Sequence, residues 1–297
     1  MGKVRELYRG MVILSILLVC SLWAEAASEP LSVFVSILPQ RYFVERIAGG
    51  NVKVSVMVRP GADPVTYEPS PRQMAELAEA KAYFRIGVPF EEAWLRRIKQ
   101  SHPHLVVIDT RDGIELRPIT GHIHHGEVHD LGSTEMSMDP HIWLSPVLVK
   151  RQAETIYKTL RILDPARKDD YECNYQLFAQ DLDSIDDEIR RILKKAQGRK
   201  FMVFHPAWGY FADEYGLEQI PIEVEGKEPS AKELARTIDE ARRDGIKVIF
   251  VQSQFNTKPA EAIARAVGGQ IVQLDPLAEN YLANLITMAK AIAAGAR

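Results

Sequence analysis

Short apolar runs alternate with helix-length amphipathic segments in two separate parts of this chain, and this alternation constrains its fold most strongly. In the first part, the runs 31–37 and 52–58 are each followed by a segment of helical spacing. The alternation returns at 201 and continues to a final helical segment, 281–293. Strands that alternate with helices in units of this length predict parallel sheets with helices on both faces.

A purely helical stretch separates the two parts. It contains one helix over 146–163 and a longer one over 168–196, in which apolar residues such as Phe178, Leu182 and Ile185 recur at spacings of three and four. At 1.5 Å per residue the longer helix would extend roughly 43 Å, which exceeds the width of one small domain. We therefore predict an α/β protein of two lobes, each a parallel-type sheet flanked by helices, joined by one long rigid helix.

The predicted boundaries follow from this pattern. Residues 28–166 form an N-terminal lobe that includes a histidine-rich loop over 121–139, residues 167–197 form the linking helix, and residues 198–297 form the C-terminal lobe. Residues 1–27 precede the fold.

The first 27 residues have the features of a secretory signal peptide. A basic start leads into the apolar run 11–23, and Ala24-Glu25-Ala26 provides a small-x-small cleavage signal near Ala26 or Ala27. This predicts a protein of the periplasm or cell exterior. Lipidation of Cys20 is the alternative, but Val19 is a poor residue immediately before a lipidated cysteine, so we disfavour it.

Charge and cysteine content exclude some classes of protein. The formal net charge of the whole chain is −3. The sequence has no basic stripe with interleaved aromatic residues, so we predict no nucleic-acid partner. Once the leader is removed, Cys173 is the remaining cysteine, so the predicted monomer is stabilised by its core rather than by a disulfide. Cys173 lies in the long helical pattern and is predicted to be a half-buried, inert thiol.

Histidines are concentrated before the helical stretch. Four of the eight, His122, His124, His125 and His129, lie within residues 121–129, and His141 follows in DPHIW. The segment 109–139 lacks sustained periodicity and is longer than most connections, which is typical of functional or disordered loops. Histidine-rich tracts often bind metal loosely, and some only keep a loop solvated.

Three polar motifs lie where strands end or a helix is about to begin. Asp139-Pro140-His141 precedes the helix at 146, His205-Pro206 follows FMVF, and Asp275-Pro276 follows QIVQL. Ligands bind at such ends in open α/β sheets, and two imidazoles with a carboxylate suit zinc. Each residue alone is more often structural, so the hypothesis depends on the set of three. Trp143, Trp208 and Tyr210 are predicted to pack around the cleft.

Six segments resemble one family in order along nearly the whole chain after the leader. They are SILPQRYFVERIAGG, VRPGADPVTYEPSPRQ, MDPHIWLSP, VFHPAWGYFADEYGL, VIFVQSQF and QLDPLAENYLANL. The chain resembles the zinc/manganese solute-binding proteins of bacterial ABC importers, in the helix-linked class. The resemblance implies an ion between the lobes, held at the positions of Val65, His141, His205 and Asp275. It also identifies a histidine-rich loop as typical of zinc-specific members.

Two positions depart from that family pattern. Val65 stands where the family has a histidine ligand and cannot coordinate a metal, and Gln252 stands where many relatives have glutamate. Three outcomes stay open. Water or one of His122, His124, His125 and His129 completes the site; affinity is reduced; or metal binding is lost.

We predict an extracytoplasmic binding protein that captures Zn²⁺ in the inter-lobe cleft and delivers it to an ABC permease. Mn²⁺ is the alternative ion, disfavoured because manganese prefers more oxygen ligands. A low-affinity or accessory carrier, or an adhesin-like protein with a degenerate site, is the alternative function. A zinc hydrolase is less favoured, because the sequence has no HExxH motif and no general base stands out beside the ligands. We therefore expect no enzymatic activity.

Overall fold

Two four-stranded parallel sheets form the two lobes of the protein. The computed structural model describes residues 30–119, 138–223 and 226–296. Within these ranges the sheets have the orders β2–β1–β3–β4 and β6–β5–β7–β8. The strands are β1 Leu31–Val35, β2 Val52–Val56, β3 Ala82–Arg85, β4 Val106–Asp109, β5 Lys200–Val203, β6 Glu218–Pro221, β7 Val248–Val251 and β8 Gln270–Gln273. The prediction of two parallel-sheet lobes is confirmed.

Nine α-helices connect and cover these strands in the described part of the chain. They are α1 Leu38–Ala48, α2 Pro71–Ala78, α3 Pro89–Ser101, α4 Pro146–Leu163, α5 Lys168–Leu193, α6 Gly209–Tyr215, α7 Ala231–Arg243, α8 Lys258–Val267 and α9 Tyr281–Gly295. Ser70 and Ser230 cap α2 and α7, each accepting a backbone N–H three residues on. None of these helices combines the length and apolar character needed to cross a bilayer.

The long helix α5 is the element on which both lobes pack. Its 26 residues extend about 39 Å, and it contacts α1 of the first lobe and α9 at the end of the second. Phe178 on α5 is fully buried, with its ring centroid 6.0 Å from that of Phe43. Phe43 in turn meets Tyr281 of α9 at 4.8 Å. The hydrophobic core is therefore continuous across α5.

The prediction of a half-buried Cys173 is wrong, because this thiol is exposed. The helical periodicity explains the difference. Tyr171 faces the core, and a residue two positions further along an α-helix is rotated by about 200°, onto the opposite face.

The carboxyl ends of the strands create a crevice in each sheet. In both sheets the connections leave to opposite sides of one adjacent pair, β1/β3 and β5/β7, and ligand sites form at such points. In the first lobe, the buried carboxylate of Glu91 fills this point and accepts the Ile86 and Gly87 N–H groups, each at 2.8 Å. In the second lobe the corresponding point is occupied by His205 and Gln252.

Truncation of the core ring on α5 tests this packing. We expect Phe178→Ala to lower the free energy of unfolding by about 3–5 kcal/mol, because it removes a fully buried ring shared by α1 and α5. The matched control is Leu177→Ala, one residue away and 51% exposed, which should change it by less than about 0.5 kcal/mol. Urea denaturation of both variants measures the difference, and equal losses would contradict the assigned core.

Candidate metal centre

Two imidazoles face each other in the cleft. His141 lies at the start of the 3-10 turn Ile142–Leu144, and His205 lies two residues after β5 ends. Their Nε2 atoms are 3.1 Å apart, and both residues are buried. The structure therefore brings together two of the three predicted ligands, from positions 64 residues apart in the chain.

A carboxylate fixes the other nitrogen of each ring. His141 Nδ1 is 2.7 Å from Asp139 Oδ1, and His205 Nδ1 is 2.7 Å from Glu223 Oε1. An ionised carboxylate only accepts hydrogen bonds, so the proton of each neutral imidazole belongs on Nδ1. The Nε2 lone pairs are then directed toward each other. Metal-ligating histidines are held in this way by carboxylates.

The distance between the Nε2 atoms is close to what one zinc ion requires. Two Zn–N bonds of about 2.05 Å at a tetrahedral angle place the nitrogens roughly 3.4 Å apart. Two lone pairs at 3.1 Å repel each other unless a positive charge lies between them. The Asp139 and Glu223 carboxylates are also buried, and a divalent cation would balance their two negative charges.

The surroundings of His141 favour its neutral form. Burial lowers the pKa of His141, although the neighbouring Asp139 carboxylate opposes that shift. The Trp143 ring lies 5.0 Å from His141, and the Phe255 ring stacks on His205 at 4.9 Å. A neutral imidazole is the form that binds metal, so the site disfavours the proton that would compete with a cation.

Gln252 supports the centre without pointing a donor into it. Its amide Nε2 donates to the His205 carbonyl oxygen at 2.8 Å, and its Oε1 accepts the His205 N–H at 3.3 Å. A primary amide can make both contacts at once, whereas a carboxylate could make only the second. The departure from the family glutamate thus has a local use, which is to hold the peptide group of His205.

Asp275 lies apart from the imidazole pair. Its Oδ1 accepts the Leu277 N–H at 2.9 Å, and its side chain borders a cavity of about 270 Å³. Arg59 and Gly61, in the loop that follows β2, also line this cavity. Within the described ranges, no three histidine, cysteine, aspartate or glutamate side chains gather at a point that could hold a metal. The role of Asp275 as third ligand stays a prediction.

Val65 lies in a loop whose shape does not depend on its side chain. Asp63 Oδ1 accepts the Val65 N–H at 2.8 Å, the Pro64 carbonyl oxygen accepts the Phe90 N–H, and the Tyr67 ring packs edge-on against Phe90. The Val65 side chain itself is 44% exposed. Replacement of the family histidine by valine therefore removes a donor while these contacts keep the loop in place. The loop candidates His122, His124, His125 and His129 lie outside the described residues.

The orienting role of the Asp139 and Glu223 carboxylates was not predicted from the sequence. Asp139 could have been recognised, because an aspartate two residues before a histidine readily accepts its backbone N–H, as it does in this turn at 3.0 Å. Glu223 follows β6, which pairs in parallel with β5, so the register of the sheet predicts that it lies beside His205. Gln252 follows β7, the other neighbour of β5.

Known proteins match almost the whole of the described chain. The profile of the family ZnuA, described as zinc-uptake complex component A, periplasmic, matches residues 33–295. The high-affinity zinc uptake system protein ZnuA of Bacillus subtilis (strain 168) is 31% identical over 258 residues, which is 86% of this chain and 81% of that protein. The zinc-binding protein AdcA of Streptococcus pyogenes serotype M3 is 28% identical, and the match spans about half, 51%, of its length.

Solved structures agree with the fold. A ZnuA deletion mutant with zinc bound has a TM-score of 0.81 and 46% sequence identity, covering 89% of this chain and 97% of that one. The laminin-binding protein Lmb of Streptococcus agalactiae, described as bifunctional with adhesin and metal transporting activity, has a TM-score of 0.78 and 25% identity. That match covers 90% of this chain and 99% of Lmb.

The contact between Gln252 and His205 can be tested without metal. We expect Gln252→Met to lower the free energy of unfolding by about 1–3 kcal/mol, because the buried N–H and C=O of His205 lose their partner. Gln273→Met, an exposed glutamine at the end of β8, is the control and should stay within about 0.5 kcal/mol of the unaltered protein. Chemical denaturation gives both values, and a neutral Gln252 variant would rule out the supporting role.

Proposed function

The chain belongs to the ZnuA family of periplasmic zinc-uptake components, and from that membership we propose that it captures Zn²⁺ between His141 and His205 and delivers it to an ABC permease. The observation that carries the proposal is the pair of facing Nε2 atoms, 3.1 Å apart, with both Nδ1 atoms held by carboxylates. Captured zinc is the cargo, so its site must bind tightly and still release the ion to the next protein.

Asp275 and one further ligand complete the coordination in this proposal. Asp275 is the third ligand, reached by a small approach of the segment after β8 toward the imidazole pair. Trp143 supports this route, because its Nε1 donates to the Pro276 carbonyl oxygen at 2.8 Å and so ties that segment to the turn carrying His141. Water, or a histidine of the loop 121–129, takes the place that Val65 leaves empty.

Zinc is favoured over manganese by the donor set. Imidazole nitrogens suit zinc, whereas manganese prefers carboxylate, carbonyl and water oxygens. The two proposed imidazole ligands are nitrogen donors, and Gln252 is occupied with the His205 peptide group. A binding isotherm with both ions should therefore rank zinc above manganese.

Members of the family are periplasmic components of a zinc-uptake complex. Within that context we propose export by the leader 1–27, cleavage near Ala26 or Ala27 without lipidation of Cys20, and action as a monomer. We propose no catalytic role for the imidazole pair. Likeness to Lmb, whose description includes adhesin activity, makes adhesion the second candidate, and binding of laminin to the purified protein tests it.

Removal of either imidazole tests the proposed zinc site. We expect His141→Ala and His205→Ala each to abolish tight zinc binding, because each removes one of two buried nitrogen donors. Two controls should leave cleft binding in place. One is His104→Ala, which alters an exposed histidine of the lobe that carries His141, and the other is deletion of residues 121–129. Competition with a chromophoric chelator measures the affinities. Zinc binding that survives both cleft substitutions but not the deletion would assign the function to the loop alone.

Restoring the family ligand tests the geometry around Val65. We expect Val65→His to tighten zinc binding by at least about tenfold, or about 1.4 kcal/mol, because an added imidazole replaces a weaker ligand. Val65→Ala is the control and should bind as the unaltered protein does. An unchanged affinity for Val65→His would show that this loop does not reach the ion.

A further inference from the structure

The tyrosine at position 210 contacts both Asp139 and Arg117, two residues whose backbones are themselves hydrogen-bonded. Its hydroxyl oxygen accepts the Arg117 N–H at 3.1 Å, and its own proton is donated to the Asp139 carbonyl oxygen at 2.9 Å. Asp139 N–H in turn donates to the Arg117 carbonyl oxygen at 2.8 Å. We call these three hydrogen bonds the Tyr210 bridge.

The Tyr210 bridge connects the supports of the two imidazoles. Asp139 holds His141 through both its backbone N–H and its Nδ1. Tyr210 is the second residue of α6, which begins four residues after His205. The hydroxyl therefore links the segment that orients one imidazole to the helix that follows the other.

Close packing around the start of α6 restricts how the Asp139 segment can move relative to this helix. A methyl group on Gly209 would lie 2.6 Å from Asp139 Oδ2 and would also overlap the Arg117 guanidinium group. Arg117 Nε in turn pairs with Asp213 Oδ2 of α6 at 3.3 Å. The backbone of α6 and the Tyr210 phenol therefore both restrict Asp139, and the Arg117 guanidinium ties the neighbouring segment to α6.

The Tyr210 hydroxyl has a role beyond packing in the core. The Tyr210 ring is buried, and burial raises the pKa of its hydroxyl, which keeps the proton that Asp139 accepts. Packing alone would be served equally well by phenylalanine. The two hydrogen bonds are what distinguish tyrosine at this position, and both end on the segments next to the metal centre.

We propose that Tyr210 is a positioning residue for the metal centre, whose hydroxyl fixes Asp139, and through it His141, relative to the segment that carries His205. This inference rests on the proposed function in taking these two imidazoles as zinc ligands. It adds that their separation is set by a contact between the lobes, the hydrogen bond from Tyr210 to Asp139. Loss of the hydroxyl then loosens the pair without removing a ligand.

Tyr210→Phe tests the role of the hydroxyl, with Tyr215→Phe as its matched control. Tyr215 is also buried on α6, but its hydroxyl donates to Asp186 of α5 at 2.8 Å, away from the imidazoles. Zinc affinity, measured by chelator competition, should fall about tenfold in Tyr210→Phe, as for other residues that orient metal ligands. It should change less than about twofold in Tyr215→Phe, although both variants lose thermal stability. Equal affinity in Tyr210→Phe and the unaltered protein, or equal losses in the two variants, would overturn the proposal.

A measurement on the metal-free protein separates this inference from the proposed function. Nitrogen-15 spectra of the imidazoles should show the Nδ1–H tautomer for His141 in the unaltered protein and in Tyr215→Phe. In Tyr210→Phe the His141 signals should broaden or report a mixture of tautomers. Unchanged His141 signals would overturn the positioning role. Absence of zinc binding in the unaltered protein, with the expected spectra, would instead refute the proposed function and leave the bridge supported as a structural contact.

Discussion

Each imidazole of the candidate centre is held at Nδ1 by a buried carboxylate, and this constraint leaves two Nε2 atoms facing each other 3.1 Å apart. Two facing lone pairs repel each other, and burial of the two carboxylates disfavours their negative charge. A divalent cation would relieve both problems. We therefore infer that the cleft is arranged to bind a cation.

The fold produces this arrangement by repeating one sheet order in both lobes. His205, Glu223 and Gln252 follow the neighbouring strands β5, β6 and β7, so the parallel register gathers them at one edge of the second sheet. His141 reaches them from the first lobe, where the turn that follows it packs against α4, and α4 packs against α5. Because α5 packs against both lobes, wide hinge opening would expose much of the hydrophobic core. Capture and release therefore require only modest movement.

The elements were largely predictable, because periodicity, proline and glycine positions and helix caps are local signals. The meeting of His141 and His205 was also predictable, since each lies where a strand ends or a helix is about to begin. The carboxylate partners were not recognised, although the strand order would place Glu223 beside His205. The positions of Asp275 and of the Tyr210 hydroxyl depend on how the two lobes meet, which no local pattern encodes. The exposure of Cys173 depends on which helix face meets the core.

The proposal that His141 and His205 bind zinc is tested most directly by zinc X-ray absorption of the protein lacking residues 121–129. The method counts the imidazoles bound to the ion once the histidines of that segment are absent. We expect two imidazole nitrogens at about 2.0–2.1 Å with oxygen atoms completing the shell, and one imidazole fewer around the weakly bound ion of His141→Ala. A shell of oxygen alone, or an imidazole count that His141→Ala and His205→Ala leave unchanged, would contradict it.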